Sequence, residues 1–321
     1  MVEEYLSLIE KEIRKQKFGT APKSLYEPIR YIMSLGGKRL RPMLTALSYS
    51  LYRNDGDKII PYAVAVEAFH NFTLLHDDIM DKAPLRRGKA TVHKKWDINT
   101  AILSGDVMLV KVYEMFQELE PNRLQETLRI FNRCASEVCE GQQWDMEFER
   151  KRKVSEAEYI EMIRLKTAVL LGFSLEFGAL LAGAPRQDRM ALRDFGINIG
   201  IGFQLKDDWL DVYANKRKFG KQVGGDIMSN KKTFLLIKAL EKAKGKQKKE
   251  LEKWVVSKKF RKTEKVKAVT SLYDTLQISL LTEQKIKSFF EKGFACLDNL
   301  TKPQNAGHLR NFVRQLINRE T

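Results

Sequence analysis

Apolar residues recur at i, i+3 and i+4 along nearly the whole chain, from Leu6, Ile9 and Ile13 near its start to Leu316 near its end. That spacing gathers them on one face of a helix with 3.6 residues per turn. Alternating β-branched runs bounded by Asn-Gly or Asp-Gly turns, the pattern of half-buried strands, are almost absent. The pattern predicts an all-α fold. Breaks are expected at Gly19 to Pro22, Gly36-Gly37, Asn54 to Asp57, Pro84 to Gly88, Pro121-Asn122, Gly183 to Pro185, Asn215 to Asn230 and Thr301 to Gly307, which separate about ten helices. No low-complexity linker or fixed-period repeat interrupts the chain, which excludes a solenoid and leaves residues 1–321 as one large helical domain.

Composition narrows the class. With 321 residues, 43% hydrophobic, 31% charged and eight prolines, the chain is neither disordered nor fibrous. The most membrane-like stretch, Ala168 to Ala184, contains Glu176 and three glycines and is shorter than the span of about 20 residues that a bilayer needs, so it reads as a buried helix. Cys134, Cys139 and Cys296 form no CxxC pair and leave an odd count, which suits a reducing cytoplasm better than a disulfide scaffold or a zinc ribbon. The opening MVEEYLSLIEKEIRKQ carries acidic residues at once and reads as an amphipathic helix, not a signal peptide.

The charge balance, 57 Lys+Arg against 41 Asp+Glu or +16, raises nucleic acid or an anionic membrane as partners. Its distribution argues against both. Residues 238–267 hold thirteen Lys/Arg and four Glu, so over half of the surplus is local. That segment is mostly Lys with little aromatic interleaving, and its Leu240, Leu251, Trp254 and Val255 can line the inner side of exposed helices. The expectation is a solvated helical surface with no nucleic acid bound; salt-dependent retention of a polynucleotide would reverse it.

One pattern occurs twice. Asp77, Asp78 and Asp81 lie in LLHDDIMDKAPLRRG, and Asp207, Asp208 and Asp211 lie in GFQLKDDWLDVY, both reading DDxxD. At about 100° per residue, positions i and i+4 are roughly 40° apart, so Asp77 shares a face with Asp81, and Asp207 with Asp211. Adjacent carboxylates destabilise a bare helix and cannot be buried unpaired. A cation is therefore expected between them. Mg²⁺ fits best, because it takes oxygen ligands from one or two carboxylates and completes its shell with water and phosphate, whereas no His or Cys spacing suits zinc or copper.

Cations follow each cluster: Arg86-Arg87 after the first, and Lys216, Arg217, Lys218, Lys221, Lys231 and Lys232 around the Gly-rich FGKQVGGDIMSNKK after the second. Acid followed by base suggests a metal-bridged polyphosphate, with Arg forks and Lys point charges satisfying the oxygens that the metal leaves. GGKRLRP, Gly36 to Pro42, adds Lys38, Arg39 and Arg41 beside a Gly pair through which backbone amides can approach an anion. It is not a P-loop, since GxxxxGK[ST] is missing.

In order and spacing, GGKRLRP, LLHDDIMDKAPLRRG, the Lys166-Thr167 pair of RLKTAVLLG, GFQLKDDWLD and FGKQVGGD resemble the trans-type isoprenyl diphosphate synthases, from about Ser24 to Thr233. The resemblance implies helices around a central cavity, normally a homodimer, with the two aspartate motifs facing each other and holding three Mg²⁺ on an allylic diphosphate. By motif match, Asp77, Asp81 and Asp207 would ligate metal directly, and Asp78, Asp208 and Asp211 directly or through water. Arg86, Lys166, Thr167, Gln204, Lys221 and Lys231 would hold the allylic diphosphate. Lys38, Arg41, His70 and Arg87 would hold isopentenyl diphosphate, with Gly37 giving close backbone approach. His70, seven residues before Asp77 and about 20° away around the helix, can reach the same cavity.

The chemistry suits such a site. Ionising an allylic C–O bond places negative charge on a diphosphate that metals and a fixed cation shell stabilise, and no protein nucleophile is needed. In this family bulky residues shortly before the first motif block the growing chain. The family pattern points to Phe72, whereas helical geometry alone favours Thr73, about 40° from Asp77. One aromatic beside a small Thr is similar to enzymes that stop at C20, geranylgeranyl diphosphate, with C15, farnesyl diphosphate, as the alternative. A terpene cyclase or a non-catalytic partner subunit are lesser readings, weakened because both DDxxD motifs and the cation set are complete.

Overall fold

The structure is a computed structural model that describes residues 1–214, 224–257 and 260–318. Its helices are α1 (Val2–Lys15), α2 (Lys23–Ser34), α3 (Leu40–Ser50), α4 (Ile60–Met80), α5 (Val92–Lys95), α6 (Ile98–Gln117), α7 (Pro121–Arg150), α8 (Glu156–Ile163) and α9 (Val169–Leu181). They continue as α10 (Arg186–Tyr213), α11 (Gly225–Ser229), α12 (Phe234–Lys242), α13 (Gly245–Val256), α14 (Lys262–Thr275), α15 (Ile278–Asp298) and α16 (Gly307–Asn318). The fold is all-α, as the periodicity predicts; among the described residues the sole strands are β1 (Leu85–Arg86) and β2 (Lys89–Ala90), an antiparallel pair of two residues each. The chain divides into two compact units, one of Met1–Cys134, Leu170–Arg193 and Asn299–Phe312, the other of Ala135–Val169, Asp194–Asp298 and Val313–Thr321.

In the first unit α4 packs against α1, α3 and α6. Its sequence from Ile60 to Phe69 is apolar nearly all round, which suits a helix covered on every side, and Ala63 to Ala68 are buried. Phe69 and Phe116 meet the ring of Phe131 edge-on at 4.9 and 5.1 Å, and Phe173 and Phe177 extend the cluster. Such pairs add about 0.5–1.5 kcal/mol each beyond their burial, so this cluster fixes the helix that carries the first aspartate motif. Arg39 does not join Lys38 and Arg41 as a cation open to an anion: it is 3% exposed, donates to Glu67 at 2.7 Å and to Glu10 at 2.8 Å, and ties α1 to α4.

In the second unit α8 begins with a capping box. Ser155 Oγ accepts from the Glu158 amide while the Glu158 carboxylate accepts from the Ser155 amide and hydroxyl. The break before it, at residues 151–155, lacks Gly and Pro and was not among the expected ones, although Ser-x-x-Glu marks it. After α8 the backbone widens into a π-turn over Arg164–Ala168. Around α11 to α14, Leu235, Leu251, Val269 and Ile278 form the core, with Leu240, Trp254 and Val255 packed on it and most lysines of 238–257 turned outward. Lys265 of α14 instead turns inward, 1% exposed with Nζ 2.6 Å from Asn230 Oδ1.

Candidate active site

Both DDxxD motifs fall in the last two turns of a long helix. Asp77 and Asp78 end α4 with Asp81 at its C-cap, and Asp207, Asp208 and Asp211 end α10. A helix C-terminus carries the negative end of the backbone dipole, so carboxylates are least favourable there unless a cation joins them. In each motif the middle residue turns inward and the outer two stay accessible: Asp78 is 2% exposed and Asp208 5%, whereas Asp81 and Asp207 are exposed and Asp77 and Asp211 half-buried.

In the first unit β1 and β2 are joined by Arg87-Gly88, with φ of 51° and 74°, the backbone of a type I′ turn that returns the chain towards α4. The turn delivers Arg86 to Asp78: Nε lies 2.9 Å from both carboxylate oxygens and Nη2 2.7 Å from Oδ1, with Asp77 Oδ2 3.5 Å from Nη2. Burial still holds the Asp78 pKa above the usual carboxylate range, despite Arg86. A second group gathers beside it. Arg41 Nη1 lies 3.0 Å from His70 Nε2, and Arg87 donates through Nη1 to the Gly36 carbonyl. Gly37, at φ +137°, lets Arg87 lie against the backbone; a Cβ there would stand 2.8 Å from Arg87 Cζ. Burial, reinforced by Arg41, Arg87 and Arg86, pushes the His70 pKa well below its ordinary value, so the ring is a neutral partner for Arg41. Burial likewise pulls Arg41 down to about 10, and its Nε is buried without a hydrogen bond. Lys38 is exposed. Phe72 lies between Phe69, at 5.7 Å, and His76, at 4.8 Å, while the Thr73 hydroxyl donates back to the His70 carbonyl.

In the second unit the π-turn carries Lys166 and Thr167. Gly141 of α7 makes room for it: a Cβ there would lie 2.1 Å from the Lys166 amide nitrogen. Lys166 Nζ pairs with Asp145 Oδ2 at 2.7 Å, and Thr167 Oγ1 donates to Gln204 Oε1 at 3.3 Å. Gln204 Nε2 in turn donates to Asp208 Oδ1 at 2.9 Å, and the buried Tyr159 hydroxyl donates to Asp208 Oδ2. Asp226, at the start of α11, gives its amide to Asp211 Oδ2 at 2.9 Å and has Asp207, Asp208 and Asp211 around its carboxyl. Asn230, left-handed at φ 56°, ends α11 and is followed by Lys231, whose ammonium acts on Asp145, Asp208 and Asp226. Burial and mutual repulsion push Asp208 and Asp226 up. Asp145 goes down, because Lys231 and Lys166 outweigh its burial. Lys216, Arg217, Lys218 and Lys221 lie outside the described residues.

Tyr159, Asp145, Asp226 and Gly141 were not singled out by sequence reasoning. Asp226 had a signal in the Gly-Gly-Asp of FGKQVGGD; Tyr159 had none. The donors at both clusters are carboxylate oxygens, crowded enough to raise one another's pKa, and a hard divalent cation would relieve that crowding. Among the described residues no three His, Cys, Asp or Glu side chains converge as a ready-made metal site.

All-helical units that each end a long helix in a DDxxD cluster with its own basic partners present a donor set suited to a divalent cation and a phosphate. A family model described as polyprenyl synthetase matches residues 22–273. A geranylgeranyl diphosphate synthase of Methanosarcina mazei is 44% identical over 70% of this chain and 69% of its own length. A geranylgeranyl pyrophosphate synthase of Geoglobus acetivorans is 42% identical over 75% and 76%. A crystal structure of a geranylgeranyl pyrophosphate synthase superposes with a TM-score of 0.95 at 41% identity, covering 100% of this chain and 99% of the other. The chain belongs to the polyprenyl synthetase family.

Proposed function

We propose that this protein is a Mg²⁺-dependent trans-prenyltransferase that condenses isopentenyl diphosphate with an allylic diphosphate, releasing geranylgeranyl diphosphate as its main product. Family membership and the geranylgeranyl diphosphate synthases among its relatives support the class and the product. The observation that carries the mechanism is the doubled DDxxD at the ends of α4 and α10, each beside its own cations.

In this reading Asp77, Asp81 and Asp207 would hold Mg²⁺ directly, with Asp78, Asp208 and Asp211 acting directly or through water. When bound, Mg²⁺ supplies positive charge to the leaving diphosphate. Arg86, Lys166, Thr167, Gln204, Lys221 and Lys231 would hold the allylic diphosphate, their charges and donors taking up the negative charge that develops as its C–O bond breaks. Arg41, His70, Arg87 and Lys38, with Gly37 admitting the backbone, hold isopentenyl diphosphate so that its double bond faces the allylic cation. Neutral His70 adds no positive charge of its own beside Arg41 and Arg87. Phe72, braced by Phe69 and His76, limits the growing chain, with Thr73 beside it.

We place the enzyme in the cytoplasm as a homodimer; the exposed Ile98, Leu103 and Val110 of α6 support a self-association face. No helix among the described residues is long and apolar enough to cross a membrane. The test is incubation of the purified protein with isopentenyl diphosphate, Mg²⁺ and each of the C5, C10 and C15 allylic starters, followed by chain-length analysis. A main C20 product is expected. A C15 product would move the assignment to farnesyl diphosphate, and no condensation with any starter would overturn the reading.

A further inference from the structure

Tyr159 is 1% exposed, lies seven residues before Lys166, and sends its hydroxyl to a carboxylate on a different helix, α10. A buried Tyr needs a partner for its O–H, and any acceptor would satisfy that need. Here the partner is Asp208, the middle residue of the second DDxxD, whose other oxygen receives the amide of Gln204. Gln204 is held by Thr167 from the π-turn. Each oxygen of Asp208 thus has a protein donor, while Asp207, on the same turn, remains exposed.

We propose that Tyr159 is a positioning residue for the second metal cluster: by fixing Asp208 from the side opposite Gln204, it sets the rotation of the last two turns of α10 and thereby aims Asp207 and Asp211 at the metal. The proposal rests on the reading that this cluster binds Mg²⁺ with a diphosphate. Tyr159 itself touches neither metal nor substrate, and the phenol is the sole O–H in this contact, so Tyr159→Phe removes the contact while keeping the packed ring.

The experiment measures the Mg²⁺ needed for half-maximal rate and, independently of turnover, calorimetric binding of Mg²⁺ with inorganic pyrophosphate. A hydrogen bond to a charged group is strong enough that Y159F should raise both about tenfold. The KM for isopentenyl diphosphate should stay at the wild-type value, because its site uses other residues. Asp208→Asn and the double variant complete a cycle: if Tyr159 acts through Asp208, Y159F adds little to D208N. Thermal melts of all four proteins separate a global loss of folding from this local effect, and if Y159F melts early the cycle is read at a temperature where every variant is folded. Wild-type Mg²⁺ dependence in Y159F, or fully additive effects in the cycle, would overturn the assignment. Failure of the wild type to bind Mg²⁺ with pyrophosphate would instead remove the functional reading beneath it, and the proposal with it.

Discussion

In the first aspartate cluster the middle residue, Asp78, is gripped by a guanidinium that a tight hairpin brings back to it; in the second, Asp208 is held by a phenol and an amide, with the nearby ammonium of Lys231 acting through space. The first therefore neutralises one of its own charges with Arg86. The second gathers Asp226 beside the three motif residues and has neutral donors on its buried member. Identical spelling in the sequence yields different contacts: among the described residues the buried aspartate of the first cluster has a guanidinium, whereas that of the second has neutral donors and a fourth carboxylate, Asp226, close by, so the second should depend more heavily on a bound cation.

Three measurements can break or sharpen that contrast. The largest effect is expected from Asp77→Asn and Asp207→Asn, each of which should lower kcat by about 10²–10³-fold, as loss of a group that stabilises transition-state charge does, with D207N the more severe. Steady-state rates at saturating Mg²⁺ decide it. A reversed order would mean that the first cluster carries the metal load. Next comes Arg86→Lys, which keeps the charge and loses the fork; kcat/KM for the allylic substrate should fall by about tenfold, since a point charge cannot replace the bidentate contact with Asp78. If R86K left that ratio at the wild-type value, the fork would be dispensable and the two middle aspartates less different than their partners suggest.

The smallest effect concerns α8, which carries Tyr159. Ser155→Ala removes the N-cap and should cost about 1 kcal/mol in a melt or denaturant titration. The partner Glu158 has its pKa lowered to about 2 by the Ser155 amide, then by Lys151 and the Ser155 hydroxyl. A lowered folded-state value means that the unfolded chain binds more protons between the two values, so the contribution is present above the unfolded value of about 4.3 and is lost as pH falls towards the folded one. The stability difference between wild type and Glu158→Gln should accordingly shrink from pH 5 to pH 2. A difference independent of pH would show that Glu158 acts by packing alone.

Much of the site could be read in the sequence because its signals are local. Asp77 and Asp81 are four residues apart on one helix, as are Asp207 and Asp211, and Arg86-Arg87-Gly88 announces a turn next to the first cluster. GGKRLRP was legible only in part: Lys38, Arg39 and Arg41 look alike in a row, yet Arg39 is spent on Glu67 and Glu10, acids from two other helices that no local spacing reveals. Tyr159 lies 49 residues from Asp208 in a helix whose own pattern needs only an apolar residue at that place. The Lys166–Asp145 pair likewise joins two helices. Contacts of this kind depend on tertiary packing and have no periodic signature.

The π-turn at Arg164–Ala168 has a consequence for which length changes the chain can accept. A π-turn amounts to one residue more than a regular helix would use, and such turns recur at functional sites. Deleting a residue there would give a more regular helix, but would swing Tyr159 about 100° around the axis relative to Thr167 and part it from Asp208. In the short loop of residues 151–155, an added residue would be absorbed before α8 begins. Within a few turns of backbone, one stretch tolerates an added residue while the next must keep its residue count.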